Sequence, residues 1–298
     1  MRATGIFETC RWKLHLPVGE TQRIVFFGDV HHGSPLFCKS TWQRFVDDYR
    51  NDKNCLFVAM GDFLDLLSAS ERAAMVSAKL HESTRHTWEQ ICEKRVNDFA
   101  EEIYWMRGRL MFALEGNHHF VFKDGTTTAQ RILARLNRNL PESLRASYGG
   151  DCCLCVVSAG EGETHRRSFT IAAHHGVGFG RVTGSMFNSL DQMERSIIAD
   201  VYAMGDNHQR GGVPQQILFP LIGSKGRVQV EDKTVIKLRS GSFLRGYVKG
   251  KPSYVCDKMM RPANLGVCGI TITPRRELQR DVGPTATRRY HLEMGVTA

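Results

Sequence analysis

The chain has 298 residues, of which 42% are apolar and 24% charged. That balance is ordinary for a folded domain and excludes a disordered or low-complexity chain. Lys and Arg outnumber Asp and Glu by 40 to 31, a formal net charge of +9, which favours polyanionic partners such as nucleic acid; a plainly basic surface is the alternative.

No apolar run approaches the ~18–20 residues that span a bilayer. Charges at Glu8, Arg11 and Lys13 break up the N-terminus where a signal peptide needs its apolar core. The expectation is a cytoplasmic protein with no membrane partner. The nine cysteines then read as reduced thiols. The formal C-x-x-C of Cys152 and Cys155 lacks a second pair at similar spacing, so the run DCCLCVV reads as a strand and not as a zinc site.

Five short apolar runs follow in chain order: Arg23 to Phe27, Cys55 to Met60, Leu110 to Leu114, Phe169 to Ala173 and Val201 to Met204. Each stops at Gly or at a ligand-type residue, as buried strands do. Helical spacing predicts helices over Thr41–Arg50, Glu82–Arg107, Thr128–Leu140 and Asp191–Ala199. In the long second one, Trp88, Ile91, Cys92, Val96, Phe99, Ile103 and Met106 form the apolar stripe. Strands alternating with helices predict an α/β fold with functional residues at the carboxyl ends of strands, gathered at one edge of a sheet. Asp151–Val157 and Ser168–Ala173 flank a polar turn and predict a hairpin. Ile217–Ile222, Arg227–Val230 and Thr234–Leu238 read as further strands joined by GSKG and EDK. Residues 1–260 are read as one domain. Residues 261–298, with six arginines against three acids, are read as a loose basic C-terminal extension.

Seven of the twelve histidines sit at the predicted strand ends. His31, His32, His118, His119, His174, His175 and His208 lie beside Asp29, Asp62, Asp65, Asn117 and Asp206. Five such clusters point to a metal site. G-D-V-H-H-G (28–33) places Asp29 and His31 on one side of an extended chain. G-D-F-L-D (61–65), G-N-H-H (116–119), H-H-G (174–176) and G-D-N-H (205–208) complete the set. Mixed His, Asp and Asn donors suit Mn²⁺, Fe²⁺ or Zn²⁺.

In this order the five blocks resemble the calcineurin-like metallophosphoesterase superfamily, across residues 28 to 208. The resemblance implies a two-sheet β-sandwich flanked by helices, with a two-metal centre. It implies that Asp29 and His31 bind the first metal, that Asp62 bridges both, and that Asn117 binds the second. His175, the histidine before Gly176, is the further ligand, and His208 completes the first metal. Asp206 stands where the pattern has a histidine; it is read as a direct ligand of the second metal that shifts preference toward Mn²⁺ or Mg²⁺, the alternative being a place behind the ligands with a weakly held second metal. His118 matches a histidine that binds no metal and serves the transition state or the leaving oxygen, and Asp65 matches the carboxylate that orients it. A metal-bridging hydroxide is the implied nucleophile.

Leu66 and Leu67 stand where protein-phosphatase relatives carry Arg and Gly, which counts against a protein phosphatase. The expected activity is that of a di-metal phosphodiesterase acting on nucleic acid or nucleotides, with Mn²⁺ foremost among the metals. A small-substrate phosphatase or a cyclic-nucleotide phosphodiesterase comes second, and a non-catalytic scaffold third. Arg181, Arg210, Arg239 and Arg245 are candidates to touch phosphate, with solvated surface arginine the commoner fate. His32 and His119 stand open between contacts to substrate and caps on strands.

Overall fold

The computed structural model describes residues 6–78, 81–162, 165–176, 185–222, 228–279 and 287–297. In chain order the first half forms β1 (Glu8–His15), β2 (Gln22–Phe27), α1 (Lys39–Tyr49), β3 (Cys55–Ala59), α2 (Ala69–Ser77), α3 (Glu82–Glu102), β4 (Leu110–Ala113), α4 (Thr128–Leu136) and β5 (Ser147–Tyr148). The second half forms β6 (Cys152–Glu161), β7 (His165–His174), α5 (Ser185–Ser196), β8 (Val201–Met204), β9 (Arg210–Ile222), β10 (Val228–Ser240), α6 (Tyr254–Asp257), β11 (Cys268–Gln279) and β12 (Thr287–Thr297).

The strands make two six-stranded sheets, β1-β6-β7-β8-β10-β9 and β12-β11-β2-β3-β4-β5. Alternation along β2 shows how they stack. Ile24 and Phe26 face the other sheet and join a core with Trp12, Val157, Ile171 and Leu238. Val25 and Phe27 face the opposite way and pack with Trp42, Phe45, Val96 and Phe99 of α1 and α3. On the far side, Leu190 and Met193 of α5 cover Ala172, Tyr202 and Met204. The result is a helix–sheet–sheet–helix sandwich, as expected from the sequence.

All five short strands form where the apolar runs predict them, but they do not share one sheet. β2, β3 and β4 run parallel in one sheet, and β7 and β8 run parallel in the other. The ligand-bearing ends therefore meet at an edge of the sandwich, between the sheets. The hairpin of β6 and β7 forms in antiparallel register.

Three readings of the sequence need correction. The long helix stops at Glu102 and passes into a 3₁₀ turn over Tyr104–Met106. Its amino-terminal half overhangs the core, leaving Trp88 and Ile91 40% and 47% exposed. The EDK segment is no turn: it lies inside β10, which pairs with β9 from Val228 to Ser240. The segment read as a loose extension supplies β11 and β12, and β11 pairs with β2 from Cys268 to Ile272. Its charges hide a buried row, Cys268, Ile270 and Ile272, that completes the inter-sheet core. Glycine-rich residues 176–185, where Arg181 was singled out, lie outside the described residues except for Gly176 and Ser185.

Because β11 closes the core, deleting residues 261–298 is expected to abolish cooperative thermal unfolding and to cause aggregation, read by circular dichroism and gel filtration. Ile270→Ala, at a fully buried position, is expected to cost about 2–5 kcal/mol in denaturant unfolding. An unchanged midpoint would show that β11 contributes nothing to the core.

Candidate metal centre

The ligand turns continue the sheets by backbone bonds beyond the strand ends. Asp29 N donates to Gly61 O at 3.0 Å, and Val30 N and His31 N both donate to Asp62 O, at 2.9 and 3.0 Å. Asp62 N donates to Glu115 O at 3.3 Å, and Gly205 N to His175 O at 2.8 Å. These bonds stitch the first three blocks to one another and the last two to each other without using their side chains.

The turns are sharp. Asp29, His31, Asp62, Asp206 and His208 have φ of 46°, 45°, 51°, 64° and 54°, a left-handed conformation that costs an L-residue about 1–2 kcal/mol. Asp, Asn and His tolerate it better than most residues. Such strain concentrates at functional sites. Gly116, at φ +88°, is held against this floor: a Cβ there would stand 2.3 Å from both Asp62 N and Asp62 Oδ1.

Asp29, His31, Asp62, His175, Asp206 and His208 are buried. Among the described residues, three overlapping triads bring ligand atoms within 4.8 Å of one another: Asp29–His31–His208, His31–Asp62–His118 and Asp29–Asp62–His175. Asp29, His31 and Asp62 each belong to two of them, and Asp62 faces two of the histidines. Its Oδ2 is 3.6 Å from His31 Nε2 and 3.4 Å from His175 Nε2. His208 Nε2 is 3.8 Å from Asp29 Oδ1.

The predicted second-metal residues converge on the other side. Asp206 Oδ1 is 3.8 Å from His175 Nε2 and accepts from Asn117 Nδ2 at 2.9 Å. That bond leaves Asn117 Oδ1 as the atom able to face a cation. Asp206 N donates to Asp29 Oδ2 at 3.0 Å, linking the two sides. His175 Nδ1 meets Met60 O at 2.7 Å, which fixes the tautomer with Nε2 as the lone-pair donor.

A cation fits this donor set. Asp29 Oδ1, both ring nitrogens of His31 and His175 Nε2 are buried without a hydrogen-bond partner. Leaving such atoms unpaired is costly unless an ion satisfies them. The proton affinities agree. Burial raises the Asp29 carboxyl well above the usual range, with Asp62 and Asp206 adding to it against the pull of His175. Burial also opposes a charge on His175, yet the Asp62 carboxylate beside it outweighs burial and holds it at about 10. Burial, then the neighbouring His31, pushes His208 down to about 3. Asp62 resists its own burial, because His175, His31 and His118 keep it below the usual carboxylate range.

His118 and Asp65 lie on the open side, with side chains 31% and 34% exposed, and His118 Nδ1 is 3.3 Å from Asp65 Oδ1. Burial works against the imidazolium, but Asp65 and then Asp62 raise the His118 pKa. The three remaining histidines have partners of their own: His32 Nε2 lies 3.0 Å from Glu102 Oε2, His119 Nδ1 lies 2.8 Å from Gly116 O, and His174 Nδ1 accepts from Gly176 N at 2.9 Å.

Arg239 is not available to a phosphate. It is buried and donates to Gly205 O at 2.9 Å, to Met186 O at 2.8 Å and to Ser189 Oγ. Its charge supports the Gly205–Asp206 turn from behind. Arg245 is exposed, and its Nε contacts Cys38 Sγ at 3.2 Å.

Two supporting residues were not singled out in the sequence. Glu115 is buried and clamps the G-N-H-H turn to the start of α4, accepting from Ala129 N at 3.1 Å and from Thr127 Oγ1. Its only sequence signal is its place next to Gly116. Arg72 bonds the backbone around His118; the capping signal S-x-x-E at Ser68–Glu71 starts its helix.

Gly116→Ala is expected to cost at least ~1 kcal/mol through its φ alone and to weaken Mn²⁺ binding by displacing Asp62. A thermal melt and a calorimetric Mn²⁺ titration check this; wild-type values in both would show that the turn yields freely.

The sequence matches no protein-family model and no curated protein. Solved structures with some likeness include a predicted phosphoesterase of Streptococcus pneumoniae TIGR4, with TM-score 0.31 and 13% identity over 91% of this chain and 99% of that one. Zinc-complexed Vps29 of Entamoeba histolytica gives TM-score 0.36 and 11% identity over 91% and 99%. GAP50 of Plasmodium, the anchor in the inner membrane complex, gives 0.35 and 9% over 90% and 88%. At this degree of likeness the functional reading rests on the chain's own residues. Those residues form a two-sheet, helix-flanked sandwich with the five motif turns gathered at one end.

Proposed function

We propose that the chain is a di-metal phosphoester hydrolase, foremost a phosphodiesterase acting on nucleic acid or nucleotides. The observation that carries this reading is the buried set of unpartnered imidazole and carboxylate atoms with the His118–Asp65 pair on its open side. Asp29, His31, His208 and Asp62 would hold one divalent cation. Asp62, Asn117, His175 and Asp206 would hold a second. The second set is richer in oxygen, which favours Mn²⁺ or Mg²⁺ over softer ions.

When bound, the cations supply Lewis acidity, drawing charge from phosphoryl oxygens and activating a water. The chain's own residues do the rest. Met60 O holds the His175 ring so that Nε2 faces inward. His118, with Nδ1 on Asp65, keeps Nε2 to carry a proton to the leaving oxygen. Its raised pKa keeps it protonated to higher pH than an ordinary histidine. The presence of both Asp62 and His118 favours a catalyst over a scaffold.

The net charge of +9 supports a polyanionic substrate. The burial of Arg239 favours the second reading, a small phosphoester, because it removes one cation from the substrate face. Hydrolysis of bis-p-nitrophenyl phosphate and p-nitrophenyl phosphate with Mn²⁺, beside labelled single- and double-stranded DNA, separates the two. Degraded DNA with steep salt dependence supports the first reading, and intact DNA with diester or monoester turnover supports the second. Absence of turnover with every divalent metal would overturn both.

Asp62→Asn and His208→Ala are expected to lose activity together with bound metal. His118→Ala is expected to lose about 10²–10⁴-fold in turnover of esters with a poor alkoxide leaving group, with near-normal metal content by elemental analysis. Equal metal loss would make His118 a ligand.

Because the protonated form of His118 is the active one, activity falls as pH rises through its pKa. That alkaline limb is expected above the ordinary histidine value of ~6.5. Asp65→Asn removes the main influence that raises it and should move the limb to lower pH; an unmoved limb would exclude the pair from proton transfer.

A further inference from the structure

The two loops that carry His118 and Asp65 come from different strands, yet their pairing sets how the proton is held. One side chain bonds the backbone of both. Arg72 stands in the first turn of α2, directly after the Ser68–Glu71 capping box. Its Nη1 lies 2.6 Å from Leu67 O, 2.7 Å from Asn117 O and 3.1 Å from His119 O. Leu67 belongs to the turn that carries Asp65. Asn117 and His119 flank His118 on either side.

A guanidinium nitrogen has two hydrogens, so three carbonyls fully occupy Nη1. That nitrogen serves the backbone and not a substrate. Burial lowers the Arg72 pKa from its ordinary value, with the carboxylates of Asp62, Glu115 and Asp151 pulling the other way. On the opposite flank, Arg95 Nη1 of α3 donates to Asp65 O at 3.2 Å. The planar fork of arginine suits several carbonyls at once, which the point charge of lysine does not.

We propose that Arg72 is a positioning residue: by holding Leu67 O together with Asn117 O and His119 O, it keeps His118 in register with Asp65 and so governs proton delivery to the leaving group. This rests on the reading of His118 as the proton donor. The phosphate-gripping arginine of protein-phosphatase relatives is replaced here by Leu66, and Arg72 takes a different part from a different element.

The test uses the full chain with Mn²⁺ and the variants Arg72→Ala, Arg72→Lys, His118→Ala and the double variant Arg72→Ala/His118→Ala. Two diesters are compared, bis-p-nitrophenyl phosphate and a dinucleotide with a poor alkoxide leaving group. Misplacing His118 should lower kcat on the dinucleotide by about 10–100-fold. The aryl diester, whose leaving group needs little protonation, should change by less than ~3-fold. KM and calorimetric Mn²⁺ binding stay as in the wild type, and lysine restores only part of kcat. The double variant should be no slower than His118→Ala alone.

A raised KM with unchanged kcat would overturn the proposal by placing Arg72 on the substrate. Equal losses on both diesters with weakened Mn²⁺ binding would overturn it in favour of a merely structural role, as would additive losses in the double variant. If the wild type hydrolyses no diester, the functional reading fails by itself, and ring ¹H–¹⁵N signals of histidine test the contact directly. Arg72→Ala should shift the His118 signals and leave those of His175 in place; unmoved His118 signals overturn the proposal.

Discussion

The Asp62 carboxylate sits at the junction of four of the five turns that build the site. Its Oδ2 faces the rings of His31 and His175. Its Oδ1 accepts from His118 N at 2.7 Å. Its backbone oxygen receives Val30 N and His31 N, and its backbone N reaches Glu115 O. A buried carboxylate is costly unless nearby positive charge and hydrogen bonds offset it. Here His175 offsets it by holding a proton, its pKa raised against burial to about 10 by the Asp62 carboxylate. A divalent ion would displace that proton, so metal binding and proton release are linked in this site. The sheets can afford so charged a floor because their apolar faces pack away from it, between the sheets and against the helices.

The ligand turns were legible because each is local. An apolar run followed by Gly and Asp, or by Gly, Asn and His, puts strand, sharp turn and ligand within six residues. The gathering of the five strand ends was expected at one edge of a single sheet, whereas β2, β3 and β4 lie in one sheet and β7 and β8 in the other. What was not legible depends on surroundings distant in sequence. β11 carries Arg275, Arg276 and Glu277 beside its buried row, so composition hid a strand that only the partner β2 reveals. β1 likewise alternates Arg11 and Lys13 with the buried Trp12 and Leu14. A charged edge strand of this kind looks like surface until the sheet is assembled.

The arginines illustrate the same limit. Their number suggested contacts with phosphate, but several of them bond backbone carbonyls. Arg239 supports the turn of Gly205, and Arg72 the turn around His118. Arg95 holds the turn of Asp65. Arg109 binds the carbonyls of Tyr49, Arg50, Asp52 and Trp105 around the ends of α1 and α3. Loop carbonyls near buried carboxylates lack partners from regular structure, and a guanidinium satisfies several at once. A net positive charge therefore overstates the charge offered to a substrate. Part of it is internal scaffolding, which salt does not screen as it screens a surface.

The left-handed turns also explain how Asp206 fits among its neighbours. At φ 64° the backbone, more than the side chain, sets the direction of approach, and Asp tolerates this conformation as well as His does. The shorter carboxylate still reaches the site, because Gly176 lets the two turns close: a Cβ on Gly176 would lie 2.5 Å from Asp206 Cβ. Asn117 then bonds to the carboxylate, a contact in which the amide N–H needs an acceptor that a protonated ring nitrogen does not offer. The acid in this position is thus matched by its neighbours on both sides. A histidine placed there would have to find a new partner for Asn117 as well as room for its ring.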